Sequence, residues 1–294
     1  MNQASVKDQF RLKNPKLHSK LQSVGVVKFP FLEKDKVNEI RSLVDEAIPN
    51  WNNAFEGQFF LSVVSNDPEL KKRISEETLK LIEPELDAHF SNYRCIVSLV
   101  LIKGPGEGSS VDFHQDLSIC DEDKFSSYTL WVPLTPSTVE NGAIRFLEYS
   151  HRIFRFIRSQ TIAAPFDNVK DTLSKFMKYH PAETGEAILW DQACIHQSPP
   201  NNSDAPRLAL GITMLGKNTP LQIYRYNESN SNMEVYSVPD DFWFRYTDFV
   251  AEKKEVPSFG ELAETIPNFK FRDMNKKDLY LNYLSKTLSK RLIS

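Results

Sequence analysis

Cysteine is scarce in this chain: Cys95, Cys120 and Cys194 are its three, odd in number and widely spaced among 294 residues. That argues against a disulfide framework and a cysteine-rich zinc module, and it fits a reducing compartment. Long apolar runs are missing too. No stretch approaches the ~20 residues of a membrane span, and Met1 to Lys20 is polar and mixed in charge, without the apolar core of a secretory signal. The expectation is a cytoplasmic protein with no membrane partner. Nor is there an excess of one charge: 36 basic against 39 acidic residues leave a net charge of −3. This balance offers no broad attraction for phosphate backbones, so nucleic acid is not an expected partner. Internal repeats and low-complexity tracts are also lacking.

What remains is a chain with 40% apolar residues, long enough for one large domain with a substantial core. Residues 1–94 read as mainly helical after a polar start. Val24 to Phe29 suggests a short strand, and Val37, Ile40, Leu43, Val44, Ala47 and Ile48 recur at helical spacing. Leu70 to Phe90 continues a helical pattern that Pro84 is expected to break or restart. From Cys95 to about residue 216 the texture becomes short β-rich runs: Cys95–Ile102, Ser127–Leu134, Ala143–Tyr149, Glu186–Asp191 and Arg207–Leu215. The pattern resembles a double-sheet jelly roll, giving a mainly β fold with flanking helices. The long connection from His151 to Glu183, with helical spacing at Leu173, Phe176 and Met177, is a candidate lid. An extension from 217 to 294 carries Phe242-Trp243-Phe244 and a predicted helix lined by Leu281, Leu284, Leu288 and Leu292.

The chemistry-bearing residues begin with His114-Gln115-Asp116. Residues two apart in an extended segment point to the same side, so the imidazole and the carboxylate can converge on one ion. His196 lies far downstream, after the strand-like Glu186 to Asp191, and only folding can bring it to the first pair. Two imidazoles and one carboxylate on one face of an octahedral metal leave three positions open. In the run from Arg207 to Leu215, alternation puts Arg207, Ala209, Gly211 and Thr213 on one face. The opposite face, Leu208, Leu210, Ile212 and Met214, is expected in the core between the sheets. An arginine followed only by small residues leaves room beside its guanidinium, which suits a ligand carboxylate held by two hydrogen bonds. Ser198, two residues after His196, can join Arg207 on that carboxylate. Each element has an ordinary structural reading: a chance tripeptide, a turn histidine, a surface arginine, a turn serine.

In their joint order these residues resemble the phytanoyl-CoA dioxygenase family of iron(II)- and 2-oxoglutarate-dependent oxygenases. Carrying the resemblance are Gly25-Val26-Val27, Gly104-Pro105-Gly106, His114-Gln115-Asp116 and Trp131-Val132-Pro133-Leu134. Asn141 to Leu147 with Ser150-His151, Gly185 to Trp190, His196-Gln197-Ser198, Asn202 and Arg207 complete it. The resemblance implies a double-stranded β-helix with His114, Asp116 and His196 as iron(II) ligands. It further implies Arg207 and Ser198 at the carboxylate of 2-oxoglutarate, with Trp131 lining that pocket. Glu186 and Tyr149 depart from the family pattern at positions of structural character. The implied activity is oxidation, most simply hydroxylation, of a small organic substrate with dioxygen, releasing succinate and carbon dioxide. Two other readings stay open: a cupin-like hydrolase holding zinc in the same three residues, with Arg207 facing the substrate, and a jelly-roll binding protein without turnover.

Overall fold

Local signals set the helices that open the described chain. The computed structural model describes residues 10–162, 164–245 and 260–271. Helix α1 (Pro15–Val24) follows the two-residue strand β1 (Arg11–Leu12); its cap is Asn14, whose side chain accepts from the backbone N–H of Lys16 and Leu17 at 3.0 and 3.2 Å. Such a cap stabilises a helix by about 1 kcal/mol. The sequence pattern missed α1, because Leu21 is its one fully buried residue and the rest reads as polar. Strand β2 (Val26–Pro30) and helix α2 (Lys34–Ala47) match the periodicities above, and a short α3 (Trp51–Ala54) leads to β3 (Phe59–Leu61). Helix α4 (Pro68–His89) is capped by Asp67 and runs through Pro84, where a break was expected. Pro84 and Lys80, whose carbonyl loses its helical partner, are both exposed, so water satisfies that group.

Next come β4 (Phe90–Ser91), β5 (Tyr93–Lys103), β6 (Val111–His114), β7 (Ser127–Pro133) and β8 (Arg145–Phe146). After α5 (Lys170–Ser174) follow β9 (Lys178–Tyr179), β10 (Glu186–Asp191), β11 (His196–Ser198) and β12 (Arg207–Gly216). The extension adds β13 (Gln222–Asn227), β14 (Asn232–Ser237), α6 (Phe242–Arg245) and β15 (Glu261–Ile266); the three strands form their own antiparallel sheet. The expected helix at Leu281 to Leu292 lies outside the described residues. No described helix is long and apolar enough to cross a membrane.

Strands β5 to β12 are dealt between two sheets. One has the order β2-β10-β7-β12-β5-β3, the other β6-β11-β8-β9. This is a jelly roll of the double-stranded β-helix kind, mainly β with helices on its flank. The alternation in β12 holds, but its faces are used differently from the expectation. Leu208, Leu210, Ile212 and Met214 pack under α2 and α4 with Val37, Ile40, Ile74 and Ile82, outside the sandwich. Each such fully buried side chain contributes about 1.5–3 kcal/mol. The Arg207–Thr213 face looks between the sheets, where the space is partly a cavity rather than solid core. The physical reason is that this sheet is covered on both sides, so apolar residues alone do not tell its two faces apart.

The connection from His151 to Glu183 is also corrected. Phe154, Phe166, Val169, Leu173 and Met177 bury themselves with Leu147 and Ile195 in a satellite core. None of its described residues lines the cavity between the sheets, and the segment packs as core rather than as the expected cover.

Candidate metal and cosubstrate site

Cross-strand register builds the cluster. Antiparallel pairing of β11 with β6 sets His196 directly opposite His114, with ring centroids 4.2 Å apart. Asp116 follows two residues on, its backbone N–H bonded to Gln192 O at 3.1 Å. One ligand atom from each of His114, Asp116 and His196 lies within 4.8 Å of the others, so the three could hold one metal ion. The donor set, two nitrogens and one oxygen on one side of a point, suits iron(II) with open positions.

Each donor is oriented by a neighbour. Nδ1 of His114 meets Asp112 O at 2.6 Å and Nδ1 of His196 meets Cys194 O at 3.0 Å, which commits those nitrogens as donors and leaves each Nε2 lone pair free. Burial, together with the nearby His114, pulls the His196 pKa down to about 4 against the opposing pull of Asp116, so this imidazole is neutral near pH 7. Asp116 Oδ2 accepts from Thr129 Oγ1 and from Trp190 Nε1, both at 2.9 Å. Thr129 and Trp190 are cross-strand partners on β7 and β10, so the sheet itself presents two donors side by side. Oδ1 is left facing His196 Nε2 at 3.7 Å.

The long connection supports this loop from behind. Gln115 Nε2 donates to Phe154 O at 2.8 Å, and Arg158 Nε donates to Asp116 O at 2.8 Å. Arg158 is itself held by buried Glu122. Thr129 and Arg158 were not singled out from sequence, and Gln115 and Trp190 were noted there only within the motifs that carry the resemblance. Only Thr129 carried a usable signal, its position two residues before Trp131 on one strand face.

Along the sheet from the cluster lies a basic end. Arg207 is 3% exposed, with Cζ 5.2 Å from the centre of the Trp131 ring. Its Nη1 donates to Gly142 O, which also accepts from Ser198 Oγ at 2.7 Å. Arg207 Nε is buried without a partner, and no described carboxylate pairs with this guanidinium. Burial draws its pKa down to about 9. Beside it in register on β5 is Lys103, fully buried, with Nζ bonded to Ser109 O and 3.4 Å from Ser198 O. Burial, and then the Arg207 charge, bring Lys103 down to about 7. Two adjacent buried basic groups with an unused N–H make a site suited to an anion. The turn that shapes it needs Gly142, at φ +77°, where a Cβ would sit 2.3 Å from Pro199 O.

His114, Asp116, His196, Ser198, Arg207 and Trp131 all line one cavity of about 280 Å³. Phe59 on β3 lines it too, whereas its neighbour Phe60 packs against the main core.

Known proteins are similar to this chain in sequence and in fold. A phytanoyl-CoA dioxygenase domain-containing protein 1 homolog of Caenorhabditis briggsae is 26% identical over 67% of this chain and 69% of its own length. A phytanoyl-CoA dioxygenase of Arabidopsis thaliana is 33% identical over 39% of this chain and 42% of its own. In fold, the chain is similar to the non-haem α-ketoglutarate-dependent epimerase SnoN of nogalamycin biosynthesis, with a TM-score of 0.53 and 17% identity. That similarity covers 87% of this chain and 95% of SnoN. The phytanoyl-CoA dioxygenase family model matches residues 25–209, from the first strand of the sandwich into β12. The chain therefore belongs to the phytanoyl-CoA dioxygenase family and is a 2-oxoglutarate-dependent non-haem iron oxygenase.

Proposed function

We propose that His114, Asp116 and His196 hold iron(II), that 2-oxoglutarate lies between this cluster and Arg207, and that the product is a hydroxylated small organic molecule. The observation that carries the reading is the unpaired Nε of buried Arg207, in the same cavity as three convergent metal donors. A dicarboxylate suits both ends, with its 2-oxoacid group at the cluster and its distal carboxylate at the guanidinium. When bound, the iron with 2-oxoglutarate and dioxygen supplies the oxidising power, and succinate and carbon dioxide are the by-products. The helical part, the jelly roll and the extension serve this site as one domain.

The side chains bind, orient and exclude water. His196 stays neutral and offers Nε2, while Thr129 and Trp190 fix which oxygen of Asp116 faces the cluster. Ser198 spends its one hydroxyl proton on the Gly142 carbonyl that also holds Arg207, so it steadies the guanidinium and leaves Arg207 Nε for the cosubstrate. Trp131 and Ile144 wall that end against solvent.

The test is turnover of 2-oxoglutarate with added iron(II). Succinate formation dependent on both iron and dioxygen is expected, with one oxygen atom from labelled dioxygen in the oxidised substrate. Iron-independent consumption, or hydrolysis of a substrate by the zinc form without succinate, would reject the reading.

A further inference from the structure

The cavity floor has a second polar end, opposite Arg207. From Arg207 to Thr213 along β12 is about 20 Å at ~3.3 Å per residue. There Thr213 pairs in register with Thr129, whose hydroxyl proton is committed to Asp116 Oδ2. Thr129 therefore accepts from Gln192 Nε2, at 3.2 Å. This orients the Gln192 amide and leaves its Oε1 as an acceptor, buried and without a partner. Gln192 itself is 3% exposed and lines the cavity. Trp243, from α6, lines the same cavity, and its Nε1 is a buried donor also without a partner. Leu99, Leu117 and Ile119 line the same cavity.

Burying an unpaired polar group is unfavourable by about 1–3 kcal/mol, so a free acceptor and a free donor in one apolar cavity call for a ligand that supplies the complements. Apart from the metal cluster and Arg207, no charged side chain lines the cavity among the described residues. A carboxylate placed here would meet the Gln192 acceptor, and an ammonium would meet the Trp243 donor; either leaves a buried charge uncompensated.

We propose that Gln192 and Trp243 are the substrate-recognition pair: Gln192 Oε1 accepts from, and Trp243 Nε1 donates to, one uncharged hydroxyl or carboxamide group of an otherwise hydrocarbon substrate. The inference rests on the oxygenase reading above, since it takes the Arg207 end as filled by 2-oxoglutarate.

The experiment uses the full chain with iron(II) and 2-oxoglutarate under anaerobic conditions, where the chelated 2-oxoacid gives a weak visible absorption band. Cyclohexanecarboxamide, cyclohexanecarboxylate and cyclohexylmethylammonium are titrated in turn, and the change in the band gives each dissociation constant. The carboxamide should bind at least tenfold tighter than either ion. In Gln192→Glu the order should shift toward the ammonium, and in Trp243→Phe the carboxamide should weaken about tenfold while 2-oxoglutarate affinity holds. Equal binding of all three, no response to any of them, or an unchanged order in Gln192→Glu overturns the proposal. Absence of the band itself in the wild type would instead reject the oxygenase reading, and the proposal would fall with it.

Discussion

Arg207→Met separates two roles that a buried arginine can play. In the free protein this guanidinium is buried beside Lys103 with no described carboxylate partner, and burial already draws its pKa down to about 9. Replacing an uncompensated buried charge by an apolar side chain of similar volume is often neutral or stabilising. The apo protein should therefore melt at the same temperature as wild type or higher. Binding should move the opposite way. Truncating one partner of a buried charge pair costs about 2–5 kcal/mol. Lys103 remains as a neighbouring cation, which puts the loss in the lower part of that range, about 2–3.5 kcal/mol. At 1.4 kcal/mol per factor of ten, 2-oxoglutarate affinity falls about 30- to 400-fold. Thermal melts of the apo protein and calorimetric titration of the iron-loaded protein give the two numbers. A lowered melting temperature with less than a threefold loss of affinity would refute the reasoning and make Arg207 a structural residue.

Thr129→Val and Trp190→Phe each remove one of the two hydrogen bonds to Asp116 Oδ2. Iron(II) affinity should drop about 10- to 100-fold in each, measured by competition with a chelator. Lys103 gives a pH dependence with two opposite signs. Its pKa is depressed to about 7 in the folded protein, so between pH 7 and its ordinary value near 10.5 the unfolded chain binds the extra proton. The Lys103 contribution to apo stability therefore rises with pH across that window. Affinity for the 2-oxoglutarate dianion should instead fall as pH rises through about 7, because the charge beside Arg207 is lost. Titrations between pH 6 and 8, below the range in which Arg207 itself titrates, should show this fall in wild type and not in Lys103→Met. Gly142→Ala forces a side chain into left-handed backbone and against Pro199 O. It should lower stability by at least about 1–2 kcal/mol and weaken 2-oxoglutarate binding, read by denaturant melts and by titration.

Local pattern carried much of the site. His114 and Asp116 sit two apart on one extended segment, and the small residues after Arg207 mark a face with room above it, both readable from period-two geometry. What orients these groups was not readable, because it depends on register between distant strands. Thr129 reaches Asp116 beside Trp190 because β7 and β10 pair at that point, and Arg158 reaches the same loop from the long connection after β8. Lys103 looks like an ordinary strand-end lysine until β5 pairs it with Arg207. The helical flank was legible where apolar residues recur, as in α2, and illegible in α1, whose cap and terminal glycine hold a polar segment with one fully buried side chain. At Pro84, helix packing outweighed the local preference for a break, since the lost hydrogen bond lies on the wet side.

Anaerobic titration of the wild-type chain and of His196→Ala with iron(II), followed by 2-oxoglutarate, bears most directly on the shared cavity. One iron per chain and a visible absorption band that needs both additions are expected in the wild type, with neither in His196→Ala although its melt stays cooperative. A band that survives in His196→Ala, or none in the wild type with iron bound, would contradict the assignment of these three side chains and Arg207 to one metal and one dicarboxylate.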